Sequence, residues 1–352
     1  MTEDRREEAR GGEARAPYDV IHAQMLRGFP ELVGECGGDP DAMLAQAGID
    51  PALLDRDDGE ITYRAMVDLL ERSAAALGRP DLGMRLARRQ GGYSVFGPLG
   101  LIMRHSRSFG DALDYVRGHT HAHSPAVHVW RRRLPGGGAV FMGHDLLLDR
   151  VHARAQAMEQ ILLLGHLAAI DLTGGHVRAR HVHFRHQPVS PPRLYRRYFG
   201  CDVSFGQDGD GIIFSDADLA RPIVDADAQV HRAVADYIES EFAAPRTPLD
   251  ASVRGIVARR LAGEACTNAD VAAELGLHPR TLHRRLAREG TSFHRIKDAV
   301  RRDAMLYYLE RTGFDLARIS ERLGFAEQSV MSRRCRTWFG ASPSAVRARA
   351  RA

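Results

Sequence analysis

The last hundred or so residues of this chain repeat themselves, and that repeat limits the fold more than any other feature. Asp270-Val-Ala-Ala-Glu-Leu-Gly-Leu277 matches Arg318-Ile-Ser-Glu-Arg-Leu-Gly-Phe325, an offset of 48 positions. Val271 and Leu275 pair with Ile319 and Leu323, so each copy carries apolar residues at i and i+4 on one helix face. Each stretch closes on a glycine, Gly276 or Gly324, the residue that takes a left-handed backbone at least cost. Beyond the glycine the offset becomes 49, because the second turn holds one extra residue. Leu282 and Leu286 then pair with Met331 and Cys335, again at i and i+4. A short helix, a glycine turn and a second helix anchored by an apolar stripe make a helix-turn-helix.

The other face of each second helix is left outward and polar. In the first unit (residues 270–287) it carries Arg280, His283 and Arg284; in the second (316–338), Gln328, Ser329, Ser332 and Arg333. Arginine can bond guanine bidentately, glutamine can bond adenine, and serine or histidine can reach bases or phosphates. From residue 249 onward there are 20 Lys+Arg against 11 Asp+Glu, whereas the rest of the chain has 29 against 34. A basic block on an acidic body points to a polyanion, here double-stranded DNA, as partner of the block alone. Between the units, 292–310 reads as one helix on Phe293, Ile296, Val300 and Ala304. About 18 helical residues span about 27 Å, close enough to the ~34 Å between successive major-groove entries for one chain to fill both. Arg284 and Arg333 are equivalent positions, but Arg280 faces Ser329 and His283 faces Ser332 across the repeat, so an asymmetric operator is expected.

Several chemistries are disfavoured. Lys297 is the only lysine, so no P-loop and no Schiff-base site lies before it. No GxSxG, HExxH or strand-borne GxGxxG occurs, and neither an enzyme nor a bound cofactor is expected. Cys36, Cys201, Cys266 and Cys335 form no CxxC pair, as in a reduced, cytoplasmic chain. The longest apolar run, 161–170, is about half what a bilayer requires, so no membrane partner is expected. Residues 1–17 read as a disordered leader.

Residues 18–225 read as an α+β domain. Helical stripes run to about residue 89, on Leu26, Phe29 and Val33 and again on Met66, Leu69, Leu70, Ala74 and Leu77. Helices are expected over 96–105 and 108–116, the latter capped by Ser108. The period then changes to two. Residues 126–134 and 140–148 flank Gly136-Gly137-Gly138 and predict a hairpin. A long helix over 150–171, strands at 179–185, 203–205 and 211–214, and a short helix over 194–199 complete an antiparallel sheet with helices. Residues 226–248 form a junction, a helix on Val230, Val234, Tyr237 and Ile238 stopped by Pro245 and Pro248. The DNA-binding domain, all α and built of two helix-turn-helix units joined by a long helix, is placed at 249–352.

The stretch Ile319-Ser-Glu-Arg-Leu-Gly-Phe-Ala-Glu-Gln-Ser-Val-Met-Ser-Arg-Arg-Cys-Arg-Thr-Trp-Phe-Gly-Ala-Ser-Pro-Ser-Ala-Val-Arg347 resembles the C-terminal signature of the AraC/XylS family, and Arg280 to Phe293 is similar to that family's first recognition helix. The signature is long and specific. Cys335 stands where the family usually has an aromatic residue, which is expected to loosen the second unit. Val95-Phe-Gly-Pro-Leu-Gly100, Phe109-Gly-Asp-Ala-Leu113, His183-Phe-Arg-His186, Tyr198-Phe-Gly-Cys-Asp-Val-Ser-Phe205 and Leu219-Ala-Arg-Pro222 resemble the arabinose-binding-type domain of a subgroup that includes regulators of ornithine use. The resemblance implies an effector-sensing or dimerising N-terminal domain, a small-molecule effector, a homodimer as one assembly, and action through RNA polymerase, more often as an activator. It names neither the ligand nor its residues. Two alternatives remain: a dimerisation module without ligand, and a metal sensor using His119, His121 and His123, which would share a face if 118–123 were a strand.

Overall fold

The computed structural model describes residues 17–56, 58–151, 153–242, 247–261 and 266–351. The N-terminal part opens with strand β1 (Ile21–His22), which pairs antiparallel with β2 (Glu60–Ile61). Sequence periodicity predicts helices alone here. Two-residue strands are too short to show alternation, and long-range packing sets their pairing. Helices α1 (Phe29–Glu35), α2 (Pro40–Gln46), α3 (Tyr63–Ala76), α4 (Leu82–Gln90), α5 (Pro98–His105) and α6 (Phe109–His119) follow. Ser108 accepts the Asp111 N–H at 3.1 Å, the cap expected of it.

The hairpin is β3 (Val127–Arg133) and β4 (Ala139–Leu146), with all three intervening glycines at positive φ. Trp130 lies opposite Gly143, where any Cβ would meet the indole at 2.2 Å, so the missing side chain makes room for the ring. Helix α7 (Ala155–Leu172) begins five residues later than the apolar pattern suggests. Arg150 takes a left-handed φ of 53°, and the Arg64 guanidinium holds the Asp149 carbonyl at 2.7 Å, which keeps the chain extended there. Buried on nearly every side, α7 crosses α4 so closely that a Cβ on Gly83 would lie 2.1 Å from the Gln156 carbonyl oxygen.

Strands β5 (His181–His183), β6 (Asp202–Ser204) and β7 (Gly211–Ser215), with α8 (Pro192–Phe199) between the first two, complete a sheet of order β3-β4-β7-β5-β6. The sheet is mixed, not wholly antiparallel as expected, because α8 carries the chain back and β5 and β6 run parallel. Helices α9 (Asp216–Leu219) and α10 (Ala228–Glu241) lead out. Tyr237, expected to face inward, is 50% exposed, while Ile238 is buried against α5. Of the junction stop, residues 243–246 fall outside the described residues, as do leader residues 1–16.

The C-terminal part is helical throughout: α11 (Leu249–Arg260), α12 (Asn268–Glu274), α13 (Pro279–Arg288), α14 (Phe293–Arg311), α15 (Leu316–Arg322), α16 (Gln328–Phe339) and α17 (Pro343–Arg351). It has a core of its own, from Val253 to Val346, separate from the core of the N-terminal part. The two parts are nevertheless docked. Arg259 pairs with Asp145 of β4 and with Glu274 of α12, Arg322 with Asp208 at 3.2 Å, and the Tyr307 hydroxyl accepts the Gln187 N–H at 3.2 Å. Among the described residues no helix is long and apolar enough to cross a membrane.

Candidate nucleic-acid interface

Both units are built alike from their caps inward. Thr267 accepts the Asp270 N–H while Asp270 accepts the Thr267 N–H at 2.8 Å, a reciprocal cap on α12. Asp315 accepts the Arg318 N–H at 2.7 Å and starts α15 in the same place. Gly276 and Gly324 share a φ of +63°. After each, the next N–H turns back to the helix, Leu277 to the Ala272 carbonyl at 2.8 Å and Phe325 to the Ser320 carbonyl at 3.0 Å. The one extra residue of the second turn is visible in the helix limits, α13 starting five residues after α12 ends and α16 six after α15.

Leu282 and Leu286 of α13, and Met331 and Cys335 of α16, are fully buried. Cys335 is enclosed rather than loose, and burial pushes its thiol up to about 11. Those stripes fix what faces outward. At about 100° per residue, Arg284 and Arg333 lie opposite their stripes; both are exposed, and among the described residues neither has a side-chain hydrogen bond or ion pair. Arg280 and Ser329 sit beside them, also exposed, although the Ser329 hydroxyl donates to Glu327 at 2.9 Å. His283 flanks the outward face in the open and Ser332 flanks it half-buried. Gln328 is exposed at the first position of α16 but lies three residues before Met331, on the stripe's side, so it approaches a groove only by the helix end.

Three further side chains belong to the arrangement and were not assigned to it by sequence. Arg288 is exposed one turn beyond Arg284, a signal the i+4 spacing carried. Lys297 donates to the Cys266 carbonyl at 2.7 Å, and Arg301 donates to the Leu323 and Gly324 carbonyls at 2.9 and 2.6 Å and covers the Phe325 ring at 4.4 Å. These two residues of α14 thus grip the entry of the first unit and the turn of the second. With 19 residues, α14 spans about 28 Å. A rigid spacer of that length can seat α13 and α16 in successive groove segments on one face of a duplex, where their outward arginines would meet base edges or phosphates.

The histidine segment is arranged differently from the strand a metal reading needs. His119 ends α6 and bonds the Tyr115 carbonyl at 2.9 Å; His121 bonds the Phe242 carbonyl at 3.1 Å. His123 is buried against His22 and Phe96. Their nitrogens do not converge, and among the described residues no group of three or more His, Cys, Asp or Glu side chains could hold a metal.

Residues 37–223 match the arabinose-binding domain of AraC transcription regulators, N-terminal, and residues 271–349 match a helix-turn-helix domain. The chain is 33% identical to the HTH-type transcriptional regulator VirS of Mycobacterium tuberculosis over 94% of this chain and 96% of that one. It is 26% identical to the ornithine utilization regulator of Pseudomonas aeruginosa over 93% and 95%. Among solved structures, the transcriptional regulator CdpR of Pseudomonas aeruginosa aligns at 22% identity and a TM-score of 0.43 over 88% of this chain and 96% of that one.

Proposed function

The chain belongs to the AraC family of transcription regulators, and from that premise we propose that it reads an asymmetric, two-part DNA site with α13 and α16 and answers to a small-molecule effector. The observation that carries the reading is the pair of outward arginines, Arg284 and Arg333, without side-chain partners among the described residues and set opposite buried stripes on helices spaced by α14. Different neighbours on the two faces, Arg280 and His283 against Ser329 and Ser332, make the two half-sites differ. One chain supplies both contacts, so a homodimer would double the site without being needed to form it. The proposed output is altered transcription through RNA polymerase, activation being the favoured sign, in the cytoplasm.

Genome-wide mapping of sites bound by the full chain tests this directly. The expected result is a bipartite motif whose unlike halves lie about 10 base pairs apart. Bound segments without a shared motif, or with a single perfectly palindromic one, would overturn it.

A further inference from the structure

A cleft of about 480 Å³ lies between the two domains, a volume within the usual range for ligand pockets. The loop entering α7 and the segment after β5 form one wall; α11 and α14 form the other. Many ionised side chains line it, and their pairing is lopsided. Five of the six carboxylates are engaged: Asp210 accepts the Arg185 main-chain N–H at 2.7 Å, Glu71 accepts the Gln156 N–H at 2.8 Å, Asp303 accepts the Arg150 main-chain N–H at 3.1 Å, Asp149 takes Arg64 at 2.7 Å, and Asp145 holds Arg259. Two of the guanidiniums lack acceptors. Arg185 of the N-terminal domain and Arg254 of α11 each have Nε and one terminal nitrogen buried without a hydrogen-bond acceptor among the described residues. Their nearest carboxylates stand off, Asp145 at 3.6 Å and Asp210 at 3.9 Å from Arg185, Asp250 at 3.7 Å from Arg254. Buried charged donors left without a hydrogen-bond acceptor are costly, and a planar guanidinium is shaped to take a carboxylate with two parallel bonds.

We propose that this cleft is the effector site and that it takes a small organic carboxylate with an apolar body. Arg185 and Arg254 meet the carboxylate; Leu148, Met158, Val300 and Ala304, which also line the cleft, face the apolar body. The assignment rests on the effector-controlled reading above and moves the ligand from within the N-terminal domain to the seam between domains. The location supplies the coupling. A ligand touching α11 and α14 on one side and the α7 entry loop on the other binds the docked arrangement better than an undocked one, and that difference is what an effector needs to shift a population. Because α14 sets how α13 and α16 face the duplex, docking and DNA reading are linked, and by reciprocity operator DNA would change carboxylate affinity by the same factor.

The test is thermal melting of the full chain with octanoate and phenylacetate, beside 1-octanol and 2-phenylethanol as neutral counterparts and putrescine as a cation. At least one carboxylate is expected to raise the melting temperature in a saturable way, and its alcohol is not. Arg254→Gln should weaken that carboxylate about tenfold or more. Ala304→Phe, which fills the cleft and leaves both arginines in place, should abolish the shift while the far-ultraviolet circular dichroism spectrum stays as in the parent. No shift with either carboxylate, an equal shift with the alcohol or putrescine, or a full shift retained in Ala304→Phe overturns the proposal. Binding of the unliganded parent to its mapped sites separates the two levels. Specific binding with no carboxylate response sinks the cleft assignment alone; no specific binding sinks the regulator reading beneath it.

Discussion

The guanidinium of Arg259, in the last turn of α11, lies 5.1 Å over the Trp130 ring of the N-terminal sheet. The same group donates to Asp145 of β4 and to Glu274 of α12, so one side chain ties the sheet to the first helix-turn-helix unit. Arg259→Ala removes a stacked cation and leaves Asp145, among the described residues, with Arg185 at 3.6 Å as its one remaining ion-pair partner. The expected cost is about 2–3 kcal/mol, below the full price of breaking a buried pair because Asp145 keeps that second arginine. Calorimetry should show the single transition of the parent resolve into two as the domains unfold separately. An unchanged thermogram would mean that Arg259 does not hold the seam.

Arg284→Ala and Arg333→Ala should each weaken binding to the mapped site by about 1–3 kcal/mol and relax base preference in one half-site, a different half for each. Competition binding against single-base variants reads this out. A loss equal on every sequence assigns that arginine to a phosphate, and its salt slope should then fall by about one. If neither substitution weakens binding, the reading face has been misplaced.

Gly276 and Gly324 have the same φ but different surroundings. A Cβ on Gly276 meets nothing within 4 Å, whereas one on Gly324 would lie 2.8 Å from the Leu261 carbonyl oxygen. Gly276→Ala should therefore cost only the left-handed penalty, about 1 kcal/mol. Gly324→Ala should cost about 2–4 kcal/mol, the same penalty plus overpacking against backbone. Urea unfolding of the full-length variants, with the parent as reference, decides whether the order holds.

The sequence showed most where local pattern and tertiary packing agree. Val271, Leu282 and Leu286, with Ile319, Met331 and Cys335, announce both units because spacing at i and i+4 is itself the buried surface. The hairpin was legible for a similar reason, since three glycines can turn a chain without help. What stayed hidden depends on partners far along the chain. Lys297 and Arg301 bond backbone carbonyls 31 and 22 or 23 residues away, which no side-chain pattern records. The β1–β2 pairing joins Ile21 to Ile61, and the late start of α7 follows from Arg64 reaching Asp149. The cleft is hidden for the same reason, because Arg185 and Arg254 become neighbours of one cavity only when two domains dock.

Acid stability offers a last check on the packing around α6. His123 is buried beside His22 and Phe96 with both ring nitrogens unpartnered among the described residues, and burial pulls its pKa down to about 3. Burial likewise takes His144 to about 4. Each ring stays neutral in the fold but binds a proton near pH 6.5 once unfolded, so the stability each lends is whole above that value and is lost as pH falls toward the folded pKa. Glu159 runs the other way, since burial raises its carboxyl well above the usual range and its contribution is lost as pH rises. A single variant separates these trends. His123→Leu removes one titration and keeps an apolar side chain of similar size, so the stability of the variant relative to the parent should climb by about 1.4 kcal/mol per pH unit on acidification below 6.5. Urea unfolding of both proteins from pH 8 to pH 5 measures the gap. Parallel curves across that range would mean that His123 is solvated or paired in solution, and that the contact of its ring with His22 and Phe96 is looser than the structure has it.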